Sequence, residues 1–182
     1  MKTLVIHPAD SSTDFLKDVY RGLSHTTVIT GGCTQEYLHK QIVNHDRIMM
    51  LGHGTPHGLL NMWNFDFKGD HIINETTVPF LKAKHNIFIW CYADEFVTKH
   101  ELTGFYTGMF ISEMDEARML DIPASQKGIA YSNALFANAV NKYMDKTDMA
   151  DKVKKDYKSY NNEVIKYNSG RIYEKVYYLQ ES

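Results

Sequence analysis

The stretch that decides the fold is Ile48–Gly58, "IMMLGHGTPHG". An apolar run of four residues, Ile48–Leu51, stops abruptly at a Gly-His-Gly sequence. A short apolar run bounded by glycine is typical of a buried strand, and glycine lets the chain turn sharply where the strand ends. The sequence therefore predicts a strand with His53 directly beyond its carboxyl end.

Further apolar runs alternate with segments of helical periodicity along the rest of the chain. The runs predicted as strands, in chain order, are Thr3–Pro8, Thr26–Gly32, Asp46–Gly54, Asn86–Ala93 and Gly104–Ser112. Continuous apolar strands that alternate with helices are typical of a mostly parallel sheet with helices on both faces. We expect one α/β domain over residues 1–182, with a flavodoxin-like strand order of two-one-three-four-five.

The segments between these strands carry helical patterns and turn signals. In "TQEYLHKQIVNH", Thr34 is a predicted N-cap, and Tyr37, Leu38 and Ile42 are predicted to face inward. The glycine- and asparagine-rich section from Thr55 to Glu75 is predicted to hold a short hairpin. Helices are expected from Ser125 to Val164, and the alternating tail "RIYEKVYYL" is expected to form a last, edge strand.

Composition narrows the classes of function. Hydrophobic residues make up 43% and charged residues 23% of the 182-residue chain, which is typical of a globular protein. The net charge of −2 argues against a broad nucleic-acid surface, and no apolar run is long enough for a membrane span or a signal peptide. The two cysteines are too few for a disulfide framework, so a cytoplasmic location is expected.

Two residue types suited to nucleophilic catalysis follow neighbouring predicted strands. His53 ends the third strand and Cys91 ends the fourth, and ligands bind at the carboxyl ends of strands in open α/β sheets. Adjacent strands lie about 4.8 Å apart, so the two side chains can share one site, as a nucleophile and its base do. Gly54 and the N–H of Cys91 are candidate donors to an oxyanion.

A strand followed by Gly-His-Gly and then a strand followed by Trp-Cys resembles the caspase-like (clan CD) cysteine peptidases. The chain is nearest in style to the clostripain, gingipain and CHAT-type members of that superfamily. The resemblance covers roughly residues 1–112 and implies a three-layer caspase-like fold. It also implies a catalytic histidine at His53, a catalytic cysteine at Cys91, and no cofactor. The sequence departs from the family after the cysteine. Members often have a small residue or glycine there, whereas this chain has Tyr92, in "CYADE".

Rival roles exist for several of these residues. His53 and His57 are four residues apart, as in helical metal sites, but the intervening glycine and proline disfavour a helix, so no metal is expected. Cys33 is a second candidate nucleophile, but its strand should lie about 10 Å from that of His53. The candidate substrate-binding residues near the strand ends are His7, Asp10, His57, Asp94, Glu113 and Asp115.

The sequence thus leaves two hypotheses from different classes. The first is a cysteine peptidase that hydrolyses a peptide or protein substrate through a Cys91–His53 dyad and a thioester intermediate. The second is a catalytically silent caspase-like domain that only binds or regulates a partner. Neither requires nucleic acid or a membrane, and the oligomeric state is left open.

Overall fold

The centre of the computed structural model, which describes residues 1–61, 70–158 and 162–176, is a six-stranded sheet. The strands of the described residues are β1 (Thr3–Ile6), β2 (Thr26–Ile29), β3 (Arg47–Leu51), β4 (Gly54–Thr55), β5 (Gly58–Leu60), β6 (His71–Ile73), β7 (His85–Ile89), β8 (Gly104–Thr107) and β9 (Ile172–Lys175). The large sheet has the order β2-β1-β3-β7-β8-β9. Its first five strands are parallel and β9 is antiparallel to β8, which confirms the predicted order and the edge strand.

Helices cover both faces of this sheet. They are α1 (Gln35–Val43), α2 (Val78–Leu81), α3 (Ala93–Lys99), α4 (Met114–Met119), α5 (Gln126–Tyr143), α6 (Met149–Tyr157) and α7 (Glu163–Ser169), with 3-10 helices at Ser11–Val19 and Glu75–Thr77. Alternate residues of β3 point to opposite faces, so Met49 packs with α5 and α6 while Met50 packs with α1 and α3. Each buried aliphatic side chain contributes about 1.5–3 kcal/mol to folding. The expected mostly parallel α/β sheet is therefore present.

Local details differ from the sequence prediction in ways that packing explains. Thr34 caps α1 by accepting a hydrogen bond from the N–H of Tyr37, as predicted. The prediction that Tyr37 faces inward was wrong, because only Leu38 and Ile42 of this helix are buried and Tyr37 is 48% exposed. The fifth predicted strand, which is β8, ends at Thr107 rather than at Ser112. Gly108–Ser112 form the irregular segment that leads to α4.

The segment predicted to hold a hairpin forms part of a second, antiparallel sheet of order β4-β5-β6. Residues 62–69 of that segment lie outside the described residues. The helical region begins at Ser125, as predicted, where the Ser125 hydroxyl caps α5 by accepting from the N–H of Gly128. In the described ranges no helix is both long and apolar enough to cross a membrane.

Candidate active site

His53 and Cys91 leave the sheet side by side because β3 and β7 are hydrogen-bonded neighbours. Leu51 pairs with Ile89 at the ends of the two strands, and the N–H of Gly52 donates to the carbonyl of Ile89 at 3.0 Å. Gly52 has φ +144°, a conformation that side chains rarely adopt, so glycine is needed where the chain turns away. Both His53 and Cys91 line a cavity of about 30 Å³, room for little more than a water molecule.

The His53 ring is held by a hydrogen-bonded chain from the loop that follows β1. Its Nε2 lies 2.7 Å from the Ser12 hydroxyl, and that hydroxyl lies 2.6 Å from Oδ1 of Asp10. Asp10 also accepts from the backbone N–H of Ser12 at 2.8 Å. These hydrogen bonds from Ser12, together with the nearby His53, lower the pKa of Asp10. Asp10 is therefore an ionised acceptor at neutral pH.

The hydrogen bonds from Asp10 through Ser12 indicate which nitrogen of the His53 ring carries a proton. A serine hydroxyl has one proton, and an ionised carboxylate can only accept, so the Ser12 proton points to Asp10. The Ser12 oxygen then accepts from His53, which places a proton on Nε2. In the tautomer with a single proton on Nε2, Nδ1 is the acceptor nitrogen.

Cys91 has different neighbours from His53. Its Sγ lies 3.6 Å from the carbonyl oxygen of Phe110 and 3.9 Å from Oε1 of Glu116. The other oxygen of Glu116 accepts hydrogen bonds from the backbone N–H groups of Ser112 and Glu113, at 2.6 and 3.0 Å. These two hydrogen bonds hold the Glu116 carboxylate in place beside the thiol.

The surroundings of Cys91 hold its thiol in the protonated form. Burial raises its pKa to about 12, with further contributions from the negative charges of Glu116 and Glu113. The thiolate is the nucleophilic form of cysteine, so a thiol in this state reacts slowly at neutral pH. The arrangement brings a cysteine and a histidine into one cavity but leaves the cysteine unactivated.

Trp90 ties the two strand ends together. Its indole N–H donates to the carbonyl of Thr55 at 3.1 Å, which holds the chain that follows His53 against the end of β7. A Cβ on Gly54 would lie within 2.5 Å of Cγ of Trp90 and 2.7 Å from the carbonyl oxygen of Gly58. Glycine is thus required at position 54 by packing against the indole. Its predicted role as an oxyanion donor stays a prediction.

The residue after Cys91 has a backbone conformation that is rare for a side chain of its size. Tyr92 has φ +69° and ψ +24°, the left-handed conformation that glycine adopts most easily. A tyrosine there costs about 1 kcal/mol or more in backbone strain, and such strain concentrates at functional sites. The chain therefore makes the sharp turn between β7 and α3 without a small residue.

His7 and Asp94, two of the candidate substrate-binding residues, line neither the cavity of His53 and Cys91 nor the larger clefts beside it. His7 is 3% exposed, with Nδ1 3.1 Å from the Tyr20 hydroxyl and Nε2 3.1 Å from the Thr13 hydroxyl. Burial and the charge of Lys17 lower its pKa to about 4, so it is a neutral ring whose contacts are structural. Asp94, in the first turn of α3, packs against Gly108, and its Oδ1 is buried with no partner among the described residues.

His57 lies in a different cleft from the one beside Cys91. This cleft of about 360 Å³ is also lined by His71, Lys99 and His100, and the rings of His57 and His71 are 6.4 Å apart. Within the described ranges, no group of three or more histidine, cysteine, aspartate or glutamate side chains could hold a metal ion. Cys33, the rival nucleophile, packs partly buried on the α1 side of the sheet, and burial raises its pKa.

Glu113 and Asp115 line a larger cleft between α4 and α5 that adjoins the small cavity. It measures about 360 Å³ and includes Ser12, which contacts His53, and Ser112, which also lines the small cavity. Burial raises the pKa of Glu113, helped by the charge of Glu116. Asp115 is largely exposed and pairs with Arg118 at 2.7 Å. Only this cleft, of the two that hold predicted substrate-binding residues, opens beside His53.

Sequence reasoning did not assign the roles of Ser12, Trp90 and Glu116. Ser12 could have been noticed because it stands two residues after Asp10 beyond the first strand, where a side chain can reach the same sheet edge. Glu116 lies in an acidic run that is also typical of a helix start. Nothing in that run indicates contact with Cys91, 25 residues away.

The geometry of the site, rather than a match to a known protein, is the basis for proposing a class of protein. The sequence matches no protein-family model and no curated protein. The resemblance to caspase-like peptidases stays an expectation drawn from the residues at the two strand ends.

Proposed function

We propose that the protein is a cysteine peptidase of the caspase-like type, with Cys91 as nucleophile and His53 as its proton carrier. The observation that supports this proposal is that both residues line one cavity at the carboxyl ends of the adjacent parallel strands β3 and β7. This is the edge at which open α/β sheets bind ligands. The hydrogen-bonded chain through Ser12 supplies the orientation that a catalytic histidine requires.

In the proposed reaction, Sγ of Cys91 forms a bond to the carbonyl carbon of the scissile peptide. The thiol proton passes to Nδ1 of His53 and then to the amine nitrogen as the C–N bond breaks. Water attacks the resulting thioester, giving a carboxylic acid and restoring the thiol. Asp10 and Ser12 hold the ring and stabilise its positive charge while it carries the proton.

A second candidate function is a binding domain that performs no chemistry. The observation that favours it is the environment of Cys91, where burial and Glu116 raise the thiol pKa to about 12. Such a thiol contributes almost no nucleophile at neutral pH unless its surroundings change. Peptide cleavage distinguishes the two functions directly.

The test is cleavage of a peptide library by the wild type, Cys91→Ala, His53→Ala and Cys33→Ala. We expect Cys91→Ala to abolish cleavage and His53→Ala to lower kcat by several orders of magnitude, as in other nucleophile–base pairs. Cys33→Ala serves as the matched control. It should cleave like the wild type, because Cys33 packs on the α1 side of the sheet and does not line the cavity of His53 and Cys91. Cleavage by Cys91→Ala, or its loss in Cys33→Ala, would refute the assignment. Absence of cleavage by all four folded proteins would support the binding domain.

A further inference from the structure

His57 lies outside the proposed peptidase site, and its position is set by the glycine that follows it. His57 occupies the turn between β4 and β5, and Gly58, with φ +140°, begins β5. A Cβ on Gly58 would overlap the carbonyl of Ile73 on β6, so glycine is required for the two strands to approach this closely. The second histidine-glycine pair of the sequence thus brings His57 beside His71 of β6, with ring centroids 6.4 Å apart.

The hydroxyl of Thr55 ties these two histidines together. Its oxygen accepts from the backbone N–H of His57 at 3.1 Å and lies 2.8 Å from Nε2 of His71. A hydroxyl can donate to a neutral imidazole and accept from a charged one. The contact with Thr55 is therefore kept when the His71 ring gains a proton.

The carboxyl end of α3 supplies a third histidine and a lysine to the same cleft. Lys99 is the last residue of α3, and His100 follows it with its ring 4.6 Å from that of the buried Phe96. The carbonyls of the last helical turn accept N–H groups from the residues that follow, so they are paired within the protein. Of the described residues that line the cleft, only Glu75 is acidic.

The charge of this cleft changes over the pH range in which histidine titrates. While the imidazoles are neutral, the charges of Lys99 and Glu75 cancel, and each protonated ring then adds one positive charge. An ordinary imidazole becomes charged as the pH falls through about 6.5. Burial and the charge of Lys99 lower the pKa of His100, with smaller effects from Glu75, which raises it, and Lys82, which lowers it. A negative ligand would oppose burial and Lys99 and draw a proton onto the ring.

We propose that this cleft binds a tetrahedral oxyanion, the sulfate or phosphate group of a small ligand, together with protons that its histidines take up. Such an anion presents several acceptor oxygens, which suits imidazolium and ammonium donors that converge from separate elements. The cleft measures about 360 Å³, which is within the range of small-molecule sites. A metal ion fits less well, because in the described part of the chain no three suitable side chains could hold one. The proposal does not rest on the cysteine peptidase function.

The experiment is isothermal titration calorimetry of the full chain with sodium sulfate, in EDTA and at an ionic strength fixed with sodium chloride. Sulfate keeps both charges between pH 5.5 and 7.5, so any proton uptake belongs to the protein. An ordinary imidazole is about tenfold more protonated at pH 5.5 than at pH 7.5, so binding should tighten about tenfold for one coupled proton and about a hundredfold for two. Heats measured in two buffers of different ionisation enthalpy should show net proton uptake.

Two further titrations define the ligand. Methanesulfonate has a similar shape but one charge fewer, so it should bind more weakly than sulfate at pH 5.5. Inorganic phosphate distinguishes the two possible sources: tighter binding of phosphate than of sulfate at pH 7.5 would indicate a phosphate ligand, and the reverse order a sulfate ligand. Equal, pH-independent heats for sulfate and methanesulfonate would overturn the proposal.

Variants locate the binding in the cleft, each checked for its fold by circular dichroism. His57→Asn should weaken sulfate binding at pH 5.5 and reduce the proton uptake. His25→Asn is the matched control, because it removes an exposed histidine from a turn whose φ of +54° asparagine also adopts. Glu75→Gln should tighten binding about two- to fivefold, the usual strength of an exposed charge pair, and damage to the fold would not produce such a gain. Unchanged affinity and proton uptake in His57→Asn, or weaker binding in Glu75→Gln, would refute the site.

Discussion

The carboxylate beside Cys91 should lower the reactivity of this thiol in addition to the effect of burial, and Glu116→Gln tests that directly. The glutamine keeps one carbonyl oxygen that can accept from the N–H groups of Ser112 and Glu113, which now bind Oε2 of Glu116. Its amide nitrogen replaces Oε1, 3.9 Å from Sγ of Cys91. The change therefore removes the negative charge at the thiol and leaves a hydrogen-bond donor in its place.

The size of the effect follows from the distance. Two unit charges 3.9 Å apart interact by about 4 kcal/mol at an effective dielectric of 20 and by about 1 kcal/mol in water. Burial, rather than Glu116, is the largest cause of the raised pKa of Cys91, so the lower part of that range applies. A gain of about 1–2 kcal/mol multiplies the thiolate population about 5- to 30-fold. Because a thiolate of lower pKa is a weaker nucleophile, the rate should rise only about two- to sixfold.

The assay is the pH dependence of Cys91 alkylation, with Cys33 in the same molecule as internal reference. The midpoint for Cys91 should move to lower pH in Glu116→Gln, and its rate at any pH below that midpoint should increase. Asp115→Asn is the matched control, because it removes a neighbouring, exposed carboxylate that pairs with Arg118. A midpoint that is the same in wild type and Glu116→Gln would show that the carboxylate does not hold the thiol neutral.

Two further predictions concern stability. Gly54→Ala should lower the free energy of unfolding, measured by urea titration, by about 1–3 kcal/mol, because the new Cβ would overlap the Trp90 ring. Gly170→Ala is the control and should change that free energy little, since a Cβ there has no neighbour closer than 3.6 Å. Equal stability of the two variants would refute the packing argument. The pKa of His7, lowered to about 4 in the fold, lies below that of an unfolded histidine, so protons favour the unfolded chain and stability should fall by about 2 kcal/mol from pH 7 to pH 5. His7→Gln should lose less over that interval, and a parallel loss in both proteins would exclude His7 as the cause.

The strand order could be predicted from the sequence because the first four predicted strands are short apolar runs separated from one another by helical patterns. The placement of His53 and Cys91 followed from that order, since both residues stand directly after such runs. The contact between Glu116 and Cys91 could not be predicted, because it depends on how the irregular segment Gly108–Ser112 returns to the sheet edge. The glycine at position 54 was predicted as an oxyanion donor from its place after His53. The structure shows that packing against Trp90 is enough to require glycine there.

The contact between Gly54 and Trp90 has a consequence for how this site can evolve. Neither position can change size alone: a side chain at 54 needs a smaller group at 90, and the indole needs a bare backbone opposite it. Trp90 also holds the carbonyl of Thr55, so a smaller residue at 90 would loosen the segment that follows the histidine. The two positions should therefore be coupled, with Gly54→Ala less harmful in a Trp90→Ala background than in the native one, while the contact of the new Cβ with the Gly58 carbonyl oxygen persists in both. In homologous sequences we expect them to covary, which would make this pair a marker for the site even where the surrounding residues have diverged.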